Sequence, residues 1–322
     1  MPPPPTPQRR SPEVLPRIIY YHQTHYLNSN FVSVLPLLQQ NSPVTHIIIA
    51  AIHLNAPNPD LITLNNDPYD APPHAPLWNE VRTLQSRGIK CLGMLGGACP
   101  GSFKILDADE QTFRTYYEPL RKMIAWCQFD GLDLDVEEPT SLPGIIRLID
   151  YLKSDFGPSF LITLAPVASA LKGGPHLSGF SYFDLEKAMG RHISWYNTQF
   201  YCGWGSMDSV EDYEEVLFRG WLPHKVVVGL VTNPANGAGW VHDELLRGSL
   251  GVLRDLGGFG GVFGWEWFNS VTAAGGQAEG PWGWARLMGE ILGVDQRRPN
   301  RISREESALK ADAMKRVGGS AP

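Results

Sequence analysis

Short runs of β-branched and aromatic residues alternate with stretches of helical periodicity along almost the whole chain, and this alternation limits the folds open to it. Eight runs read as strands: RIIYYHQ from Arg17, VTHIIIAAIHL from Val44, KCLGMLGG from Lys90, FDGLDLDVE from Phe129, SFLITLAP from Ser159, ISWYNTQFY from Ile193, KVVVGLVT from Lys225 and GGVFGWEW from Gly260. They recur every 30 to 45 residues or so. Alternation of this kind signals βα units and a parallel sheet. Eight units within ~280 residues suit one closed (β/α)8 barrel better than an open doubly wound sheet, and such a barrel works from the C-terminal ends of its strands.

Between the strands, APLWNEVRTLQSRG, EQTFRTYYEPLRKMIAWC and VHDELLRGSLGVLRDLGG carry apolar residues at i, i+3 and i+4 and read as helices. Gly88 and Gly257 follow the first and third as C-caps. WGWARLMGEILG supplies the last helix and closes the ring by about Val294, so the barrel is placed at residues 17–294. A Pro-rich N-terminus, residues 1–16, and a charged C-terminal tail, residues 295–322, are expected to be flexible.

A formal net charge of -6 and no long basic run argue against nucleic acid as the main partner. No run reaches the ~18 apolar residues of a membrane span, and nothing near the start resembles a signal peptide, so no membrane association and a cytoplasmic location are expected. The four cysteines (Cys91, Cys99, Cys127 and Cys202) show no metal-ligand spacing and read as buried free thiols. His22 and His25 in HQTH lack an evident third ligand, so no metal is expected. LGGFGGVFG leads into a strand rather than from strand to helix, which makes it a turn and not a dinucleotide loop. No cofactor is expected.

The most informative segment is FDGLDLDVEE. Side chains alternate across a strand, so Asp133, Asp135 and Glu137 share one face while Leu132, Leu134 and Val136 share the other. If the apolar set meets the helices, the acids project into the barrel, where each ionised carboxylate costs several kcal/mol unless paired or protonated. Crowded acids raise the pKa of at least one member, which keeps a carboxylic acid able to donate a proton near neutral pH. Glu137, last in the row and nearest the barrel mouth, is the candidate donor.

DGLDLDVE at residues 130–137 resembles the DGxDxDxE signature of glycoside hydrolase family 18, the chitinases and endo-β-N-acetylglucosaminidases. VTHIIIAA, LGGACPGSF, LITLAP, NTQFY and GGVFGW are similar to further strand motifs of that family. One departure is Met94, which stands where the third-strand SxGG motif has Ser and puts the local support of that strand end in doubt. The resemblance implies a retaining, substrate-assisted glycosidase without the usual carboxylate nucleophile. Glu137 would protonate the glycosidic oxygen while the sugar's own acetamide attacks its anomeric carbon, giving an oxazolinium ion. Asp135 would orient the acetamide and stabilise positive charge, with Asp133 sharing a proton or hydrogen bond with it. Tyr201 would bond the acetamide oxygen, and Trp265 would floor the sugar site. Gln199, Tyr20, Gln23 and Gly97 are further substrate-binding candidates. Within the family, the DLDVEE, WYNTQFYCGWG and GWEWFNS segments look closest to fungal endo-β-N-acetylglucosaminidases acting on the GlcNAc-GlcNAc core of N-glycans on glycoproteins. A class III-like chitinase and an inactive sugar-binding protein on the same fold are the alternatives.

Overall fold

Strands flanked by helices outside and by packed side chains inside lose their solvent face, which is why IIIAAI and VVVGLV are continuous apolar runs rather than alternating ones. A computed structural model describes residues 16–272 and 280–294. Eight parallel strands form a closed ring: β1 (Arg17–His22), β2 (His46–Asn55), β3 (Lys90–Gly96), β4 (Gly131–Asp135), β5 (Leu161–Leu164), β6 (Trp195–Gln199), β7 (Val226–Val231) and β8 (Gly261–Trp265). Each pairs with its neighbour in sequence, and β1 closes on β8 through Ile18↔Val262 and Ile19↔Phe263. All eight strand segments read from the sequence are present, within a few residues at each end.

Two cores result. Inside the ring, Ile19, Tyr21, Ile48, Leu92, Met94, Trp195, Val227 and Phe263 pack together. Outside it, the opposite faces of the same strands (Ile18, Tyr20, Ile47, Leu132, Leu134, Val226, Val228) meet the helices. At the bottom of the ring Arg17 lies 4.3 Å from the Trp195 ring centroid and donates to the carbonyls of His224 and Gly260. That cation–π contact plugs the barrel end away from the row of acids.

The long outer helices are α1 (Ala75–Ser86), α2 (Glu110–Cys127), α3 (Leu142–Phe156), α4 (Tyr182–Met189), α5 (Glu211–Phe218), α6 (Asp243–Asp255) and α7 (Trp282–Leu292). Side-chain caps set several of their starts. Asp109 accepts from the Gln111 and Thr112 amides, Ser141 from Gly144 and Ser181 from Asp184. Gly88 and Gly257 adopt positive φ just past α1 and α6, as expected of C-caps.

Three features differ from the sequence reading. The helix between β1 and β2 is a single turn, Pro36–Gln39. An antiparallel hairpin, Asn58–Leu64 and Asp67–Pro68, extends β2 beyond the ring; LITLNNDP gave too short an alternation to be separated from a loop. Cys91 and Cys127 are buried free thiols, but Cys99 and Cys202 are exposed, because they sit on the loops that leave β3 and β6. The proposed flexible ends fall outside the described residues. Among the described residues no helix is long and apolar enough to cross a membrane, and no group of three His, Cys, Asp or Glu side chains is arranged to hold a metal ion.

His22 and His25 are both buried, with ring centroids 4.8 Å apart, and the His25 ring lies 5.9 Å from that of His74. Burial pushes His22 well below the ordinary histidine value and His25 down to about 4. Both rings therefore stay neutral in the folded protein while the unfolded chain takes up protons below pH ~6.5. Folding then releases protons, and stability contributed by these rings falls as the pH drops from about 6.5 toward 4. We expect the thermal midpoint to fall across that window and His22→Leu to flatten the slope; an equally steep slope in the variant would remove the ring from this role.

Candidate active site

Asp133 lies deepest and is fully buried. Its Oδ1 accepts from Thr163 Oγ1 (2.5 Å) and Asn197 Nδ2 (3.0 Å), and its Oδ2 from the Tyr21 hydroxyl (2.7 Å). Three neutral donors from β5, β6 and β1 thus offset part of what burial costs this carboxyl. Burial still raises its pKa, with the three hydrogen bonds pulling the other way. No hydrogen bond between Asp133 and Asp135 is seen, since Asp133 is satisfied by other partners; the two interact through charge.

Asp135 ends β4 and is also buried; its Oδ1 accepts only a long bond of 3.3 Å from Gln199 Nε2, whose shorter bond of 2.9 Å goes to the Ala165 carbonyl. Burial, then the charges of Glu137 and Asp133, push its pKa well above the usual carboxylate range. Glu137 is half-buried at the mouth, and burial raises its pKa too. Burial thus favours the protonated form of both acids, and for Asp135 the neighbouring charges add to it.

The cleft above this row has a volume of about 410 Å³. Of the residues expected there, Asp135, Glu137, Gln199, Tyr201, Trp265, Gln23 and Gly97 all line it. Asp133 lies beneath them and does not line the cleft; it acts on Asp135 through charge. Gly97 has φ +87°, a left-handed backbone that favours glycine, and a Cβ added there would stand 3.0 Å from Met94 Cε and at ordinary contact distance, 3.6 Å, from Asp135 Oδ2. Met94 fills the place of a hydroxyl with a thioether in register with Asp133, and the donors to Asp133 come from other strands.

Tyr20 is the correction. It points away from the cleft: its hydroxyl donates to the Pro281 carbonyl at 2.6 Å and meets Ser270 Oγ at 3.1 Å, and its ring packs on Trp267 and Trp284 between barrel and helices. Tyr21 faces inward instead. Alternation carried that signal, since Tyr20 and Gln23 differ in parity on one strand while Tyr21 and Gln23 agree.

Thr163 and Asn197 were not singled out from the sequence, yet both share the odd-numbered inward face of their strands. His53 had no such signal. Register shifts between Ile49 and Ile52 on β2, so Ile48 and Ala50 point inward below the irregularity while Ala51 and His53 line the cleft above it. Trp204, Asn236, Cys99 and Cys202 reach the cleft from loops.

Comparison with known proteins identifies the family. The sequence model of Glycosyl hydrolases family 18 matches residues 17–285. A fungal endo-beta-N-acetylglucosaminidase of that family superposes with a TM-score of 0.82 at 47% identity, covering 87% of this chain and 99% of the other. The chitinase ChiC from Aspergillus fumigatus superposes with a TM-score of 0.78 at 53% identity, covering 85% and 98%. Chitinase Chi52 from Paenibacillus xylanexedens is 26% identical over 247 residues, 62% of this chain and 46% of its own length. The chain spans less than half the length of the curated relatives it matches.

The Tyr21 hydroxyl favours ionised Asp133. We expect Tyr21→Phe to raise the Asp133 pKa, move the acid limb of the pH–rate profile to higher pH and lower turnover by about tenfold, less than the roughly 10²-fold or more expected for loss of the proton donor itself. A profile superimposable on wild type would detach Tyr21 from the carboxylate row.

Proposed function

Because the chain belongs to glycosyl hydrolase family 18, we propose that it is a retaining endo-β-N-acetylglucosaminidase that hydrolyses the GlcNAc-β1,4-GlcNAc core of N-glycans. The observation that carries the chemistry is Glu137, half-buried at the cleft mouth with a raised pKa, two residues beyond a buried Asp135 on the same face. A general acid must hold its proton at working pH, and burial supplies that condition.

Among the described residues, Asp135 and Glu137 are the only carboxylates lining the cleft. They lie two residues apart, at the end of β4 and just beyond it, so neither stands across the sugar as a separate nucleophile, which favours attack by the substrate's own acetamide. Asp135 orients that acetamide and carries negative charge as positive charge develops at the anomeric carbon. Tyr201 lines the same cleft, and its pKa, driven up by burial and by Asp135, keeps its hydroxyl a hydrogen-bond donor for the acetamide oxygen. Trp265 offers an indole face to the apolar side of the pyranose.

The N-glycan substrate is supported by the 47% identity to a fungal endo-beta-N-acetylglucosaminidase over 99% of that chain. A chitinase is the second reading, favoured by the 53% identity to ChiC. An inactive sugar-binding protein fits less well, because the whole acid row and its hydrogen-bond partners are present.

Mass spectrometry of a high-mannose glycopeptide and of chitin oligomers separates these readings. We expect a peptide retaining a single GlcNAc; release of chitobiose from the oligomers alone would replace the substrate, and binding without cleavage would remove the enzyme. Glu137→Gln is expected to lower turnover by about 10² or more. Since the donor must be protonated, the rate of the wild-type enzyme is expected to decline as the pH rises through the elevated Glu137 value, and Glu137→Gln to lose that limb.

A further inference from the structure

Two buried glutamates outside the cleft each follow a cleft residue by one position. Glu138 comes after Glu137, and Glu266 after Trp265. Each turns away from the opening and grips the loop that leaves another strand. Glu138 Oε1 accepts from the amides of Gly101 (2.9 Å) and Phe103 (2.8 Å), and its Oε2 also accepts from Gly101 (2.9 Å). Glu266 Oε2 accepts from the amides of Gln23 and Thr24, both at 2.9 Å, while its Oε1 accepts from the Thr24 hydroxyl (2.8 Å). Both side chains accept at each oxygen and donate at neither, the pattern of an ionised carboxylate, and such bonds are roughly twice as strong as neutral ones.

The gripped segments are walls of the cleft. Gly97, Ala98 and Cys99 precede Gly101 on the β3 loop, and Gln23 begins the β1 loop. The second grip extends further, because the Gln23 carbonyl accepts from Asn65 Nδ2 (2.8 Å), whose Oδ1 accepts from the Ala51 amide (3.2 Å) at the cleft-lining end of β2. Exposed loops pay ordering entropy when a ligand needs them fixed, and anchoring beforehand removes that cost. We propose that Glu138 and Glu266 are positioning residues that hold the β3 and β1 walls in their sugar-binding arrangement, and that they take no part in proton transfer.

The inference rests on the glycosidase reading but not on its N-glycan specificity. The test uses Glu138→Ala, Glu266→Ala and the corresponding Gln variants, with chitotetraose and a high-mannose glycopeptide as substrates. A glutamine carbonyl can accept from the same amides; at position 266 its NH2 can donate to the Thr24 hydroxyl, whereas at position 138 its NH2 faces the Gly101 N–H, so restoration there is expected to be partial. We expect the Ala variants to raise KM about tenfold or more, with kcat within about threefold and both pH limbs unmoved, and the Gln variants to restore KM. Hydrogen–deuterium exchange of the free protein gives a readout independent of substrate: amides of residues 97–103 should exchange faster in Glu138→Ala and those of residues 22–26 faster in Glu266→Ala, with protection returning in the Gln variants. If an Ala variant does not fold, the Asp variant at that position, shorter by one methylene, carries the same expectations.

Unchanged exchange, unchanged KM, a moved pH limb, or Gln variants as impaired as Ala would each overturn the proposal. Turnover of chitotetraose alone would refute the N-glycan reading and leave this test intact. Turnover of neither would refute the glycosidase reading, with exchange still deciding whether the loops are held.

Discussion

The protein depends on keeping a column of carboxyl groups inside a closed barrel. A ring of parallel strands offers no water on either face, so charge placed within it needs partners from the other strands. Asp133 meets this demand with Tyr21, Thr163 and Asn197, side chains drawn from three strands and separated in sequence by 30 to 112 residues. Asp135 and Glu137 are provided for less fully. The unevenness separates the upper two acids from Asp133, because a carboxyl left short of donors in a buried place prefers its proton.

The layers of the ring carry different tasks. Its floor is closed by Arg17 over Trp195 and by apolar side chains. The acids with their neutral donors form the middle. Loops supply the upper rim, where Gly97 lies beside Asp135 and where Glu137 and Trp265 both line the opening. Stability and chemistry are thereby separated along the barrel axis, as the architecture generally allows. The outward neighbours of the site residues serve the same division, since Leu132, Leu134 and Val136 bind the strand to its helices.

Much of this was legible because a period of two is a strict rule on a strand. It assigned the face of β4 correctly, and with it Asp133 and Asp135; the same parity places Asn197, which the sequence reading passed over, on the inward face of β6 beside Gln199. The same rule distinguishes Tyr21 from Tyr20 when it is applied from Gln23. It fails on β2, where a shift of register between Ile49 and Ile52 exchanges the faces and brings His53 to the opening. It says nothing about loops, and the exposed thiols of Cys99 and Cys202 lie there.

The sequence alone determined the eightfold alternation, the strand that carries the acids and the order of those acids from floor to rim, because all three follow from local periodicity and from the apolar residues between. Only the tertiary structure decided which donors satisfy Asp133, which carboxyls are left short of donors, and which loops Glu138 and Glu266 hold. Those outcomes join residues far apart in the chain, and they exist only once the ring closes and brings the ends of its strands within hydrogen-bonding distance.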